Sequence, residues 1–312
     1  MIKDDFLVKT EAGLYCKYGD FYLDPELPVK NAVISHAHGD HAKGGNINVY
    51  CSAFTKDLML LRYKKKAAVN FLVKQYKEDF AINQVKLRFY PAGHILGSAM
   101  ILMEFEGSAY LYTGDYKLQE DDTCEQAELP TADVLITEST FANPNVSHPD
   151  AEEEIKKLNS IDANILLGVY GLGKAQRITS LINKHCPDKV VHIHHSIFSI
   201  HQLYNKYGVE LGVYNLNNRK ALKQQSQKQV YLLPPLTFNS YRGAVGVARV
   251  FASGWEYLQR GNDLSLYISD HVDWADILIT IEKVNPGEVW TLHGDGTSLK
   301  NFLSDKLKTK IL

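Results

Sequence analysis

The sequence predicts an α/β protein, and three observations predict it. Short apolar runs rich in β-branched and aromatic residues recur along the 312 residues. Stretches of helical periodicity stand between them. From Asp133 to Val190 the two signals alternate most regularly, as they do where helices cover a sheet.

In chain order, the strand signals lie at 32–35, 85–90, 99–105, 109–112, 133–137, 165–170, 190–193, 230–233, 264–268 and 288–292. Helical periodicity covers 53–61, 150–158, 174–184, 200–207, 274–284 and 298–307. No internal repeat is visible.

Composition narrows the class. The length suffices for one large domain or two modest ones with a sizeable core. Hydrophobic residues make up 45% and charged residues 22%, as in ordinary globular proteins, so little disorder is expected. The formal net charge of −2 gives no overall basic footprint. Two basic runs, Arg62-Tyr63-Lys64-Lys65-Lys66 and residues 219–228, read as solvated helix faces. Cys16, Cys51, Cys124 and Cys186 form no CxxC pair, which argues against a disulfide framework and a thiolate zinc site. The start, MIKDDFLVKTEAG, has early acids and no apolar h-region, and no apolar run reaches bilayer length. A cytoplasmic protein without membrane contact is expected.

Placing the polar residues on this map exposes a recurrence. The strand at 32–35 runs into His36-Ala37-His38-Gly39-Asp40-His41, and the strand at 85–90 into Pro91-Ala92-Gly93-His94. Three more strand ends lead to Thr113-Gly114-Asp115, Ser269-Asp270-His271 and His293-Gly294-Asp295. Loops at strand ends carry chemistry on a rigid frame, and glycine permits the tight turns that convergence needs. Zinc takes neutral imidazole and carboxylate oxygen. Histidines at i and i+2 can reach one metal from an extended loop, and Asp40-His41 can serve a neighbour. Paired hydrolytic metals lie about 3.5–4 Å apart, and Asp115 is suited to bridge them. His148, His185 and His201 read as isolated surface histidines, and His192, His194 and His195 as strand-end or surface residues.

The pattern His36-x-His38-x-Asp40-His41, with His94 and Asp115 following in order, resembles the metallo-β-lactamase superfamily. A di-iron branch has Glu where His38 stands, so the resemblance favours a zinc hydrolase. Asp24, in FYLDP, is similar to the superfamily's early aspartate, which orients the histidine loop. ITEST with Glu138, ISDHVDW with His271 and TLHGDG with His293 resemble motifs A, B and C of the β-CASP nucleases. GLGKAQR (171–177) and FASGW (251–255) are similar to segments of the bacterial ligase-associated DNA exonuclease family. This resemblance runs from Asp24 to His293.

The resemblance implies a metallo-β-lactamase αββα sandwich over 1–142 and 264–312, with an inserted α/β β-CASP cassette over 143–263. It implies two zinc ions, with manganese as the alternative. His36, His38 and His94 would hold the first, Asp40, His41 and His293 the second, and Asp115 would bridge. Hydroxide attack on a phosphodiester would follow, with His271 as general acid oriented by Glu138, and Asp40 counted with the catalytic groups. Lys174 and Arg177 are implied as phosphate-binding cations at a strand-to-helix turn, whereas Trp255 reads as core. The expected function is a DNA exonuclease acting in DNA repair, functionally associated with a DNA ligase and a helicase. Two alternatives are an RNA 3′-end processing ribonuclease of the β-CASP type, for which His293 argues, and a hydrolase of small esters or lactones.

Overall fold

The structure is a computed structural model that describes residues 1–217 and 228–312. Strands β1 (Leu7–Thr10), β2 (Gly13–Cys16), β3 (Phe21–Leu23), β4 (Asn31–Val33), β5 (Asn46–Cys51) and β6 (Ala68–Val73) form a first sheet in that spatial order. Helix α1 (Ala53–Tyr63) links β5 to β6 and starts where Ser52 Oγ accepts the Thr55 amide.

A second sheet contains β7 (Asp79–Ile82), β8 (Val85–Pro91), β9 (Ala99–Phe105), β10 (Ser108–Tyr112), β11 (Val134–Glu138), β18 (Glu288–Leu292) and β19 (Lys308–Ile311). Its order is β19-β18-β11-β10-β9-β8-β7.

Alternation along the strands decides how these sheets pack. Ile101, Met103, Tyr110, Tyr112, Val134, Ile136 and Trp290 point one way and meet Phe6, Leu7, Phe21, Leu23 and Val33 of the first sheet in a shared core. Their neighbours Met100, Leu102, Leu111, Leu135 and Val289 point the other way. They pack under α6 (Trp274–Val284) and α7 (Thr297–Leu303) through Ile277, Ile281, Leu299 and Leu303. The outer face of the first sheet is covered by α1, where Ala32, Val49 and Cys51 touch Met59. The layers therefore run helix, sheet, sheet, helix. Trp290 is fully buried at the centre, and its truncation to Ala would cost about 3–5 kcal/mol.

These elements make one compact unit, Met1–Glu120, Cys124–Ser147 and His271–Leu312; Asp121–Thr123 and His148–Asp270 make another. The second unit holds β12 (Asn164–Gly168), β13 (Val190–Ile193), β14 (Asn215–Leu216), β15 (Gln229–Leu233), β16 (Val247–Ala252) and β17 (Leu264–Leu266). Among the described residues they form a wholly parallel sheet in the order β14-β13-β15-β12-β16-β17. Its inner strands β12 and β15 are buried on both faces, as parallel strands under helices must be. Helices α2 (Ala151–Lys156), α3 (Lys174–His185) and α4 (His195–Lys206) cover one face through Ile155, Ile178, Ile182 and Ile197. Helix α5 (Pro235–Ser240) sets Phe238 against the other.

The mixed α/β class agrees with the sequence reading. Several strands escaped it, among them β1, β2, β3, β5 and β16. Helix α4 begins at His195 rather than at residue 200, because the His194 side chain accepts the Ser196 amide and caps it. His192 is buried, with Nε2 2.7 Å from Gln229 Oε1. His201 is fully buried rather than on the surface. Trp255 is not core: it is 39% exposed, its ring 5.7 Å from that of Tyr257. All four cysteines are free. The basic run at 219–228 lies outside the described residues, except Lys228, which faces Asp188 at 3.3 Å. Among the described residues no helix is long and apolar enough to cross a membrane.

Candidate metal centre

The first unit gathers the strand-end residues at one place. Beyond β4 the chain turns tightly, with the His41 and Ala42 amides both bonded to the His38 carbonyl. After β8, Gly93 sits at φ +72°, and a Cβ there would lie 2.3 Å from the Lys117 carbonyl oxygen. Only glycine lets the chain pass so close and present His94. After β10, Gly114 at φ +54° plays the same part for Asp115, since a Cβ there would meet Ser35 at 2.8 Å.

Three imidazoles converge. His38 Nδ1 lies 3.0 Å from His36 Nε2 and 2.9 Å from His94 Nε2. Asp115 Oδ2 lies 3.6 Å from His36 Nε2, 3.9 Å from His94 Nε2 and 3.3 Å from His41 Nε2. One carboxylate oxygen thus faces the three-histidine group and His41 together. Four donors around a tetrahedral zinc are separated by about 3.3 Å, so the donor set and its spacing fit a divalent cation.

The surrounding bonds fix which nitrogens face inward. Asp24 accepts from the Ser35 amide at 2.7 Å, from the Ser35 hydroxyl, and from the Tyr112 hydroxyl at 2.8 Å. His41 Nδ1 stands 2.9 Å from Asp24 Oδ2, which places its proton there and leaves Nε2 for a metal. His36 Nδ1 meets Ser35 Oγ at 3.0 Å, with Nε2 likewise turned inward.

Burial and charge act together in this cluster. Burial, followed by the charges of His41 and His94, holds His36 well below the usual imidazole range, so it stays neutral. Burial pulls His41 down as well, but Asp115 and Asp24 outweigh it and carry His41 well above that range. Burial would raise the Asp115 carboxyl, yet His41 and His271 outweigh burial and hold it well below the carboxylate range. His36 and Asp115 are thus held in the neutral and ionised forms that metal coordination requires, whereas His41 carries a proton that a bound metal would displace.

A second arrangement adjoins the first. Glu138 is fully buried at the end of β11 and accepts the Tyr116 amide at 3.0 Å. His271 Nδ1 lies 2.9 and 3.1 Å from its two oxygens. The Val272 amide bonds the Tyr116 carbonyl at 3.0 Å and Asp273 caps α6, so His271 is held from its C-terminal side. The rings of His271 and His94 are 4.9 Å apart.

Possible metal-holding groups therefore comprise His36, His38, His94 and Asp115; Asp24, His36 and His41; and Asp115, Glu138 and His271. Asp40 and His293 stand at the edge. The Asp40 side chain is 79% exposed with Oδ2 3.8 Å from His41 Nε2, and the His293 ring is 5.1 Å from that of His41. Tyr112 and Ser35 are the orienting residues that the sequence reading missed. Their signal is their position, one ending the strand before Asp115 and the other preceding His36.

Lys174 and Arg177, the cations expected to bind phosphate, belong to the second unit. Both are buried at the start of α3. Lys174 Nζ lies 3.1 Å from Asp270 and bonds the Ile268 carbonyl. Arg177 bonds the Ser269 carbonyl at 2.7 Å and faces Asp270 and Asp121, each at 3.4 Å. A cation taken out of water needs such partners, and these two pin the segment that leads to His271.

No protein-family model matches the chain. It is 30% identical to a probable DNA ligase of Opitutus terrae, over 96% of this chain and 30% of that protein. It is 30% identical to an RNase J-like protein of Methanocaldococcus jannaschii, over 57% of this chain and 49% of the relative. The endoribonuclease ysh1 of Schizosaccharomyces pombe is 32% identical over 49% of this chain and 21% of its own length. The chain thus spans less than half the length of each of these curated relatives. A crystal structure of a protein of unknown function from Enterococcus faecalis V583 superposes with a TM-score of 0.63 at 15% identity, covering 90% of this chain and 78% of that one. That likeness concerns the fold alone.

Proposed function

Because the chain belongs to the metallo-β-lactamase/β-CASP nuclease group, we propose that it is a metal-dependent phosphodiesterase that degrades DNA from an end. The observation that carries this reading is the single oxygen of Asp115 facing His36, His94 and His41 beside the Glu138–His271 pair. In this reading residues 1–142 and 264–312 are the metallo-β-lactamase sandwich and 143–263 the β-CASP cassette.

His36, His38 and His94 would hold one metal, Asp40, His41 and His293 the other, and Asp115 both. Zinc is the metal we assign, with manganese as the alternative. When bound, such metals supply Lewis acidity and a nucleophile at neutral pH. Asp24 and Tyr112 keep the His41 ring oriented. Glu138 accepts a hydrogen bond from His271 Nδ1–H and stabilises the imidazolium, whose Nε2 proton then goes to the leaving oxygen. Asp40, with its exposed carboxylate, meets solvent and substrate first.

DNA is favoured because the relative that matches 96% of the chain is named a probable DNA ligase. A role in DNA repair, in association with a ligase and a helicase, goes with that reading. RNA 3′-end processing is the second reading, favoured by His293 and by the relatives named RNase J-like and endoribonuclease.

The test is digestion of end-labelled single- and double-stranded DNA and RNA with zinc or manganese. Stepwise shortening of DNA supports the proposal. Internal cuts in RNA favour the second reading, and turnover of esters or lactones in preference to every nucleic acid overturns both.

A further inference from the structure

The run Arg62-Tyr63-Lys64-Lys65-Lys66 closes α1 in the unit that carries the metal centre. Arg62 and the three lysines are exposed, and among the described residues none of the four stands against a carboxylate. Other lysines of the unit do: Lys3 lies 2.9 Å from Glu106, Lys77 2.8 Å from Glu128 and Lys86 3.0 Å from Asp79. Unneutralised charge is therefore concentrated here and repels itself, a cost that a bound anion relieves.

The run is fastened to the histidine loop. A Cβ on Gly39, between His38 and Asp40, would lie 4.0 Å from Arg62 Nη1. A Cβ on Gly44 would lie 2.8 Å from the Lys66 carbonyl oxygen and 3.1 Å from the Tyr63 ring. The Gly45 amide bonds the Ala67 carbonyl at 3.1 Å. Lys64 takes φ +54°, which L-residues other than Asn and Asp seldom adopt, and that turn starts the three-lysine segment.

The geometry points to Arg62, Lys65 and Lys66 as a phosphate track for a nucleic-acid strand whose neighbouring phosphate lies at the His36–His41 loop. This inference rests on the nuclease reading. A continuous polyanion is the partner because the cations are clustered within five residues and face no carboxylate among the described residues, and because they border the centre to which a phosphodiester is assigned.

The test compares R62Q/K65Q/K66Q with wild-type protein and with K3Q/K77Q/K86Q, which removes the same charge elsewhere on the unit. Lys64 is left alone because of its backbone. Binding of a fluorescent phosphorothioate single-stranded DNA is followed by anisotropy over a range of salt. The triple variant is expected to have a log K against log salt slope shallower by about 2, with at least about tenfold weaker binding at low salt. The control should keep the wild-type slope. An unchanged slope in R62Q/K65Q/K66Q, or an equal loss in the control, overturns the track. Cleavage is read separately: a wild-type protein that digests no nucleic acid defeats the nuclease reading, whatever the slopes are.

Discussion

Tyr112 donates its hydroxyl to Asp24 at 2.8 Å, on the same carboxylate oxygen that faces His41 Nδ1. Burial first, and then Asp24, push the Tyr112 phenol well above its ordinary range, so it remains a donor at every physiological pH. Asp24 meets His41 at Nδ1, while His41 Nε2 faces Asp115, so the pair sets the tautomer of a proposed ligand. Tyr112→Phe should weaken metal binding about tenfold and Asp24→Ala up to about 100-fold. Titration against a competing chelator reads this directly, and unchanged affinity in Asp24→Ala would refute the orienting role.

Metal should stabilise the first unit. At a free concentration of 100 times Kd, bound metal contributes about 2.7 kcal/mol. Adding zinc or manganese to chelator-treated protein should raise the melting temperature. Asp115→Asn should abolish most of that rise, since the oxygen facing both histidine groups loses its charge. A melting curve indifferent to metal would count against the whole centre.

His271 and Glu138 should matter for chemistry and not for metal content. His271→Ala is expected to lower kcat by about 10²–10⁴-fold on DNA. The loss should shrink on an aryl phosphodiester, whose leaving group departs without a proton. Glu138→Gln should follow in the same direction, because the buried carboxylate touches both Tyr116 and His271. An equal loss on both substrates would mean that His271 does not protonate the leaving oxygen.

How far the sequence carries depends on how local each signal is. His36, His38, His41, His94 and Asp115 are legible because each sits in a short loop of diagnostic residue types, after a strand and beside a glycine. Tyr112 looks like any strand-ending aromatic until Asp24, far away in sequence, is seen to face it. The strands β1, β2 and β3 lie in LVKTEAGLYCKYGDFYL, too mixed in polarity to announce a period, and pairing between them decides. Lys174 and Arg177 resemble a ligand-binding turn because Asp270 and Asp121, which neutralise them, are remote in the chain.

That ion-pair group gives a stability prediction. Asp270→Asn leaves two buried cations short of a partner and should destabilise the second unit by about 3–5 kcal/mol. Lys174→Met combined with Asp270→Asn should cost less than the sum of the single changes, because the two residues share one interaction. Denaturant melts of the four proteins give the coupling, and strict additivity would show that the pair is not energetically linked.

His201 makes the second unit sensitive to acid. Its Nδ1 lies 2.9 Å from Gln176 Nε2 and its Nε2 2.9 Å from Thr179 Oγ1. Gln176 Oε1 accepts the Gly173 amide, so its NH₂ group points at Nδ1. Thr179 donates to the Ala175 carbonyl, so Nε2–H must be the donor to Thr179. The neutral imidazole makes both of these side-chain bonds. Burial lowers its pKa from 6.5 to about 4. Between those values the unfolded chain binds the proton and the folded one does not. Stability is therefore complete above pH 6.5, falls as the pH drops toward 4, and levels off below, for a total of about 3 kcal/mol from this group. His201→Gln removes the titration, whatever it does to stability at neutral pH. Its loss of stability between pH 6.5 and 4 should be smaller than that of the wild-type protein by about that amount. Parallel acid profiles for the two proteins would show that folding does not depress the pKa of His201.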